Sequence, residues 1–151
     1  MPPLSDLAVL AAITLATILW VRWLWRRGVR GRDLLASGWL GFLGLVLIVT
    51  LLAHNVDIAS RLIVSRGHDG PAFGYNFRFY SLQLLGVVLI GCGVQLVRAA
   101  AGLGLGNPAA RGSAMRTLAL VLLVVVPLIP IQAFFAIPLS VLGAVALLLV
   151  L

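Results

Sequence analysis

Four long apolar runs, parted by short polar clusters, carry most of what this chain encodes. The first, Leu7 to Trp25, holds about 19 residues, close to the ~20 a helix needs to cross a bilayer core. Ser5 and Asp6 stand before it as N-cap residues. The second runs from Leu34 to Ala53 and closes at His54-Asn55. The third runs from Phe79 to Val97, with Arg98 marking its far end. The fourth, Thr117 to Leu151, is almost unbroken, with only Thr117, Gln132 and Ser140 polar.

As one helix, the last run would reach roughly 50 Å, well beyond a ~30 Å hydrocarbon core. Pro127, Pro130 and Pro138 each remove a backbone donor and crowd the preceding turn, so this stretch must bend or break. The predicted fold is an all-α integral membrane protein, a single transmembrane helical bundle over 1–151. Its approximate spans are 7–25, 34–53, 79–97 and 116–134, followed by an additional apolar segment 138–151. That Pro-broken C-terminal segment forms a fifth short helix or a re-entrant one packed against the others.

Composition agrees with the pattern. At 62% hydrophobic and 10% charged, with a mean hydropathy of +1.16, the chain departs from soluble domains, which are nearer half apolar and a quarter charged. The same figures exclude a disordered chain.

Charge adds orientation. There are eleven Arg, no Lys, four Asp and no Glu, giving a formal net charge of +7. Eight arginines fall in two places: Arg22, Arg26, Arg27, Arg30 and Arg32 after the first span, then Arg98, Arg111 and Arg116 around the third connection. Arg61, Arg66 and Arg78 lie between spans two and three, beside Asp57 and Asp69. The positive-inside rule puts the Arg-rich loops in the cytoplasm and the N-terminus outside, as in a multi-pass protein of the bacterial inner (cytoplasmic) membrane. Trp20, Trp23, Trp25 and Trp39 flank the first cytoplasmic loop as an aromatic belt. No basic residue precedes the first run, so it is expected to stay in the mature protein rather than leave as a signal peptide. The arginines flank apolar runs instead of forming a patch with stacking aromatics, which makes anionic membrane lipids, not nucleic acid, their partner.

Several segments hold candidate chemistry. Small residues at helix-packing positions, Ser37, Gly38, Gly41 and Gly44 in the second span and Gly86, Gly91 and Gly93 in the third, let backbones approach closely in lipid. His54 and His68 are the candidate cofactor ligands, weak because only Asp57 and Asp69 lie near them. Gln83 and Gln132 are polar intramembrane positions. Val56 to Arg66 reads as an amphipathic piece lying in the outer headgroup plane. After the turn at Gly67 to Pro71 come Phe73, Tyr75, Phe77, Arg78, Phe79 and Tyr80, an aromatic and Arg set suited to docking a partner. The glycine-rich segment Gly102 to Asn107 lacks both the preceding strand and the following Lys-Ser/Thr of a nucleotide loop and is expected to be a flexible turn.

Catalysis has little to work with. No Glu or Lys is present, every Asp lies outside the predicted spans, and Cys92 is alone, so neither a proton relay nor a thiol pair is available within one chain. The expectation is a non-catalytic accessory or scaffolding subunit of a larger membrane protein complex, respiratory and photosynthetic assemblies being the common setting for such small subunits. The alternatives are a small transporter or channel built on the Pro-broken helix, with Gln83 and Gln132 facing one another, and a pigment- or haem-binding subunit using His54.

Overall fold

Glycine and proline, rather than polarity, close three of the five helices. The structure, a computed structural model, describes residues 4–65 and 73–151, with side chains over 7–56, 83–130 and 136–151. It contains α1 (Leu4–Arg26), α2 (Gly31–Ser65), α3 (Phe73–Gly104), α4 (Pro108–Val125), a 3-10 turn (Val126–Leu128) and α5 (Ile129–Val150). No strand occurs among the described residues. Windows in α1 to α4 are long and apolar enough to cross a membrane, and Ala136–Val150 of α5 is a shorter apolar helix.

Helices α1 and α3 end in the same way. Gly28 sits at φ +89°, its N–H donating to the Trp25 carbonyl, while Val29 N–H donates to the Leu24 carbonyl. Gly106 sits at φ +75°, donating to Leu103, while Asn107 N–H donates to Gly102. This is a Schellman stop, and it needs a left-handed residue that only glycine supplies without strain. The Asn107 side chain then accepts from Ala109 N–H, and Pro108 fills the first helical position, where a missing donor costs nothing. The segment Gly102 to Asn107 is therefore a defined helix stop and start, not a flexible turn.

Two expected boundaries move. The second span was expected to close at His54-Asn55, with a separate amphipathic piece after it. Instead α2 continues without interruption to Ser65. Nothing from Ala53 to Ser65 is Gly or Pro, and a polar residue inside a helix ends its burial, not its hydrogen bonding. Likewise Phe73 to Tyr80 belongs to the first turns of α3 rather than to a loop. At 35 and 32 residues, α2 and α3 are about 52 and 48 Å long at 1.5 Å per residue, longer than a ~30 Å core.

The C-terminal run also departs from its expected break. The break expected after Phe134 falls at Val126–Leu128, and α5 then runs continuously through Pro138. Pro127 falls in the 3-10 turn that closes α4, whereas Pro130 occupies the start of α5, where no intrahelical donor is missed. Beyond this break α5 folds back on α4: a Cβ at Gly143 would lie 3.0 Å from the Leu122 side chain.

Pairwise contacts fix the rest. Val21 of α1 meets Gly38 of α2, and Gly44 of α2 meets Gly93 of α3. Trp39 Nε1 donates to the Leu142 carbonyl at 3.0 Å, and Arg111 of α4 pairs with Asp33 of α2 at 2.7 Å. Neighbouring helices therefore alternate in direction. Both Arg-rich turns and the end of α5 gather at one end of the bundle. The buried core lies along α2, α3, α4 and α5, with Leu40, Leu43, Leu47, Leu96, Leu118 and Val121 fully enclosed.

Arg32 closes the end of α5. Its Nε donates to the Leu149 carbonyl at 3.0 Å and its Nη2 to the Leu148 carbonyl at 2.8 Å. The last carbonyls of a helix have no intrahelical donor, and a cation there also suits the helix dipole. Arg32→Gln is expected to cost about 0.5–1 kcal/mol. It should speed amide exchange at Leu147 to Val150 while leaving α2 unchanged. Unaltered exchange in that last turn would mean that the guanidinium contributes nothing there.

Candidate functional site

The first helix is the loosest part of the bundle. Only 11% of its apolar window is buried, against 56% for that of α2. Among the described residues its polar link to the rest is one relay inside an apolar interface. Trp20 Nε1 donates to Ser37 Oγ at 3.2 Å, and Ser37 Oγ donates to the Ala100 carbonyl at 2.7 Å. Ser37 is fully buried, so this relay ties α1, α2 and α3 inside the bundle. A buried indole N–H needs an acceptor, and the serine supplies one.

Directly beside the relay, the three helices leave a lateral cleft of about 310 Å³. Ala16, Thr17 and Trp20 form its α1 wall, Gly41 and Leu45 its floor, and Val97 with Ala100 its α3 wall. Thr17 turns its hydroxyl back to the Ile13 carbonyl at 2.9 Å. The cleft therefore offers apolar shape and little polar recognition. The outer face of α1 carries exposed Leu7, Leu10, Leu15, Ile18 and Leu19.

The packing glycines divide by contact. A Cβ on Gly44 would lie 2.7 Å from the Gly93 carbonyl oxygen, and one on Gly93 would lie 2.8 Å from the Gly44 carbonyl oxygen. Gly38 is met by Val21 at 2.7 Å, Gly41 by Ala100 at 3.8 Å, and Gly86 by Asn55 at 2.8 Å. Gly91 differs: it is exposed, with nothing within 4 Å of its Cβ position, and takes no part in the intrachain seam.

Of the remaining candidates, only His54 and Gln83 have described side chains. His54 is exposed on α2, and no group of three metal-binding side chains occurs among the described residues. His68 lies outside the described residues, as do the side chains of Phe73, Tyr75, Phe77, Arg78, Phe79 and Tyr80. Gln83 is half-buried, while the side chain of Gln132 lies outside the described set, so their expected pairing is not placed.

By its pattern alone the sequence presents Ser37 as a small packing residue and the four tryptophans as one belt. Two of those tryptophans also bond across helices, Trp20 to Ser37 and Trp39 to Leu142. The other two lie under arginines: Arg27 sits 4.1 Å from the Trp23 ring centre and Arg30 3.9 Å from that of Trp25. The available signal was spacing, since Ser37 and Gly41 share one helix face, but no spacing rule names the helix opposite. No known protein family, curated protein or solved structure matches this chain.

Proposed function

We propose that this chain is a non-catalytic accessory or scaffolding subunit of a larger membrane assembly in the bacterial inner membrane, respiratory and photosynthetic complexes being the setting in view. The observation that carries this reading is the loose seat of α1. It is an apolar helix held at the bundle edge, with an apolar cleft open beside it. Where burial gives no net hydrophobic gain, helices associate through close packing and a few polar bonds. An edge helix flanked by a small-residue cleft provides such a surface for a partner helix.

The gathering of the Arg-rich turns at one end supports a cytoplasmic location for that end and an outside N-terminus. The test is extraction of native membranes in mild detergent, followed by native gel separation and mass spectrometry of the band. A scaffold subunit migrates within a large complex with reproducible partner chains. Migration as a small homo-oligomer would overturn the reading. For the orientation, a thiol reagent that cannot cross the membrane should label position 69 but not position 30, each cysteine introduced singly after Cys92→Ala. The reverse pattern would invert the topology.

A further inference from the structure

One polar stripe on α4 faces away from the core. Gly112, Ser113, Arg116 and Thr117 lie along it, whereas the buried face of α4 is Ala110, Ala114, Leu118, Val121 and Val125. With Gln95 of α3, these four line a groove of about 600 Å³ between the two helices. Among the described side chains no carboxylate answers Arg116: Asp33, the one acidic side chain described, is taken by Arg111 at 2.7 Å. Asp6 and Asp57 lie toward the opposite ends of α1 and α2. The Thr117 hydroxyl donates to the Ser113 carbonyl at 2.9 Å, which leaves its oxygen as an acceptor. The groove thus offers a guanidinium, a carboxamide and a serine hydroxyl as donors, with acceptors beside them.

The same two stripes turn apolar away from the Arg-rich end. On α3, Gln95 is followed at helical spacing by Gly91, Val88 and Leu84, and on α4, Arg116 is followed by Leu120 and Leu123. Val88, Leu84, Leu120 and Leu123 are all exposed. A polar groove that grades into two exposed apolar stripes matches a molecule with a charged head and long hydrocarbon tails. Arg98 follows Gln95 by three residues on α3, toward the Arg-rich end. Arg is well suited to a phosphate, which it can grip with two parallel bonds.

We propose that this groove binds the phosphate head group of an anionic phospholipid, held by Arg116, Gln95 and Ser113, with its acyl chains along the α3–α4 stripes. The test uses the full chain purified in uncharged detergent and titrated with phosphatidylglycerol, phosphatidylcholine or soluble glycerol phosphate. Binding is read by native mass spectrometry and by the melting temperature. Phosphatidylglycerol should bind and raise the melting point, and Arg116→Gln should weaken it roughly tenfold, the loss expected for a charge-assisted phosphate contact.

Gly112→Leu, which has open space to fill at that position, should block binding while Arg116 remains and helicity is unchanged. Arg27→Gln, an exposed arginine outside the groove, should leave binding within about twofold, since it removes only a distant charge. If Arg116→Gln and Gly112→Leu bind as the parent does, the groove is a hydrated face and the site is overturned. Equal binding of phosphatidylcholine would overturn the anionic preference. Binding of glycerol phosphate as tight as that of the lipid, lost in Arg116→Gln, would overturn the lipid as occupant.

Discussion

Gly93→Val is expected to force α2 and α3 apart and destabilise the bundle more than the other substitutions considered. The Cβ of any larger residue there would meet the Gly44 carbonyl oxygen at 2.8 Å, Ile48 at 2.9 Å and Leu47 at 3.2 Å. The first of these atoms is backbone and cannot turn aside as a flexible side chain would. Overpacking a tight interior costs about 1–3 kcal/mol, and the rigid backbone contact places this site toward the top of that range. For a chain of this size that corresponds to a melting temperature lower by roughly 4 °C or more.

Gly44→Val should behave alike, because its own Cβ would meet Gly93 oxygen and Val97. Gly91→Val, two residues away on the same helix, supplies the control: it adds the same side chain into open space. Thermal unfolding in detergent, followed by circular dichroism, compares the three. Equal shifts for positions 91 and 93 would show that β-branching in α3, not the seam, causes the loss.

Ser37→Ala should be next in size, near 1.5 kcal/mol, the upper end of what interhelical hydrogen bonds contribute in membranes. The alanine leaves the Trp20 indole N–H without its acceptor and removes the bond to the Ala100 carbonyl at a fully buried point. Trp20→Phe removes the stranded donor. The double variant should therefore lose less than the two single losses added together, and the difference measures the coupling of the relay. Strictly additive losses would mean that Ser37 and Trp20 act separately and that α1 is held by packing alone.

The exposed Asp33–Arg111 pair differs in kind from this relay. Its side chains are 50% and 43% exposed, so water screens it and it contributes little. Its interest is positional. Together with Arg32 on the α5 carbonyls, it joins the start of α2 to both arms of the C-terminal hairpin.

The sequence by itself determined that the chain is a bundle of apolar helices. It also placed the end of α1 near Trp25 and a turn within Gly102 to Asn107, though as a flexible segment rather than a capped stop and start. These follow from properties that belong to single residues: the transfer of each side chain into lipid, the left-handed freedom of Gly28 and Gly106, and the missing donor of Pro108. Polarity at His54-Asn55 suggested a helix end that did not occur, because hydropathy reports where a residue prefers to sit and not whether its backbone stays helical.

Only the tertiary structure decided which of three prolines breaks the last run, that α5 returns along α4 and α2, and that Gly93 is in the seam while Gly91 is not. It also decided that Ser37 joins three helices. Each of these depends on the rotation of one helix against another. Two glycines two positions apart lie about 200° apart around a helix, so only one can face a given neighbour. That phase is a property of pairs of helices, which a reading of residues one at a time does not contain.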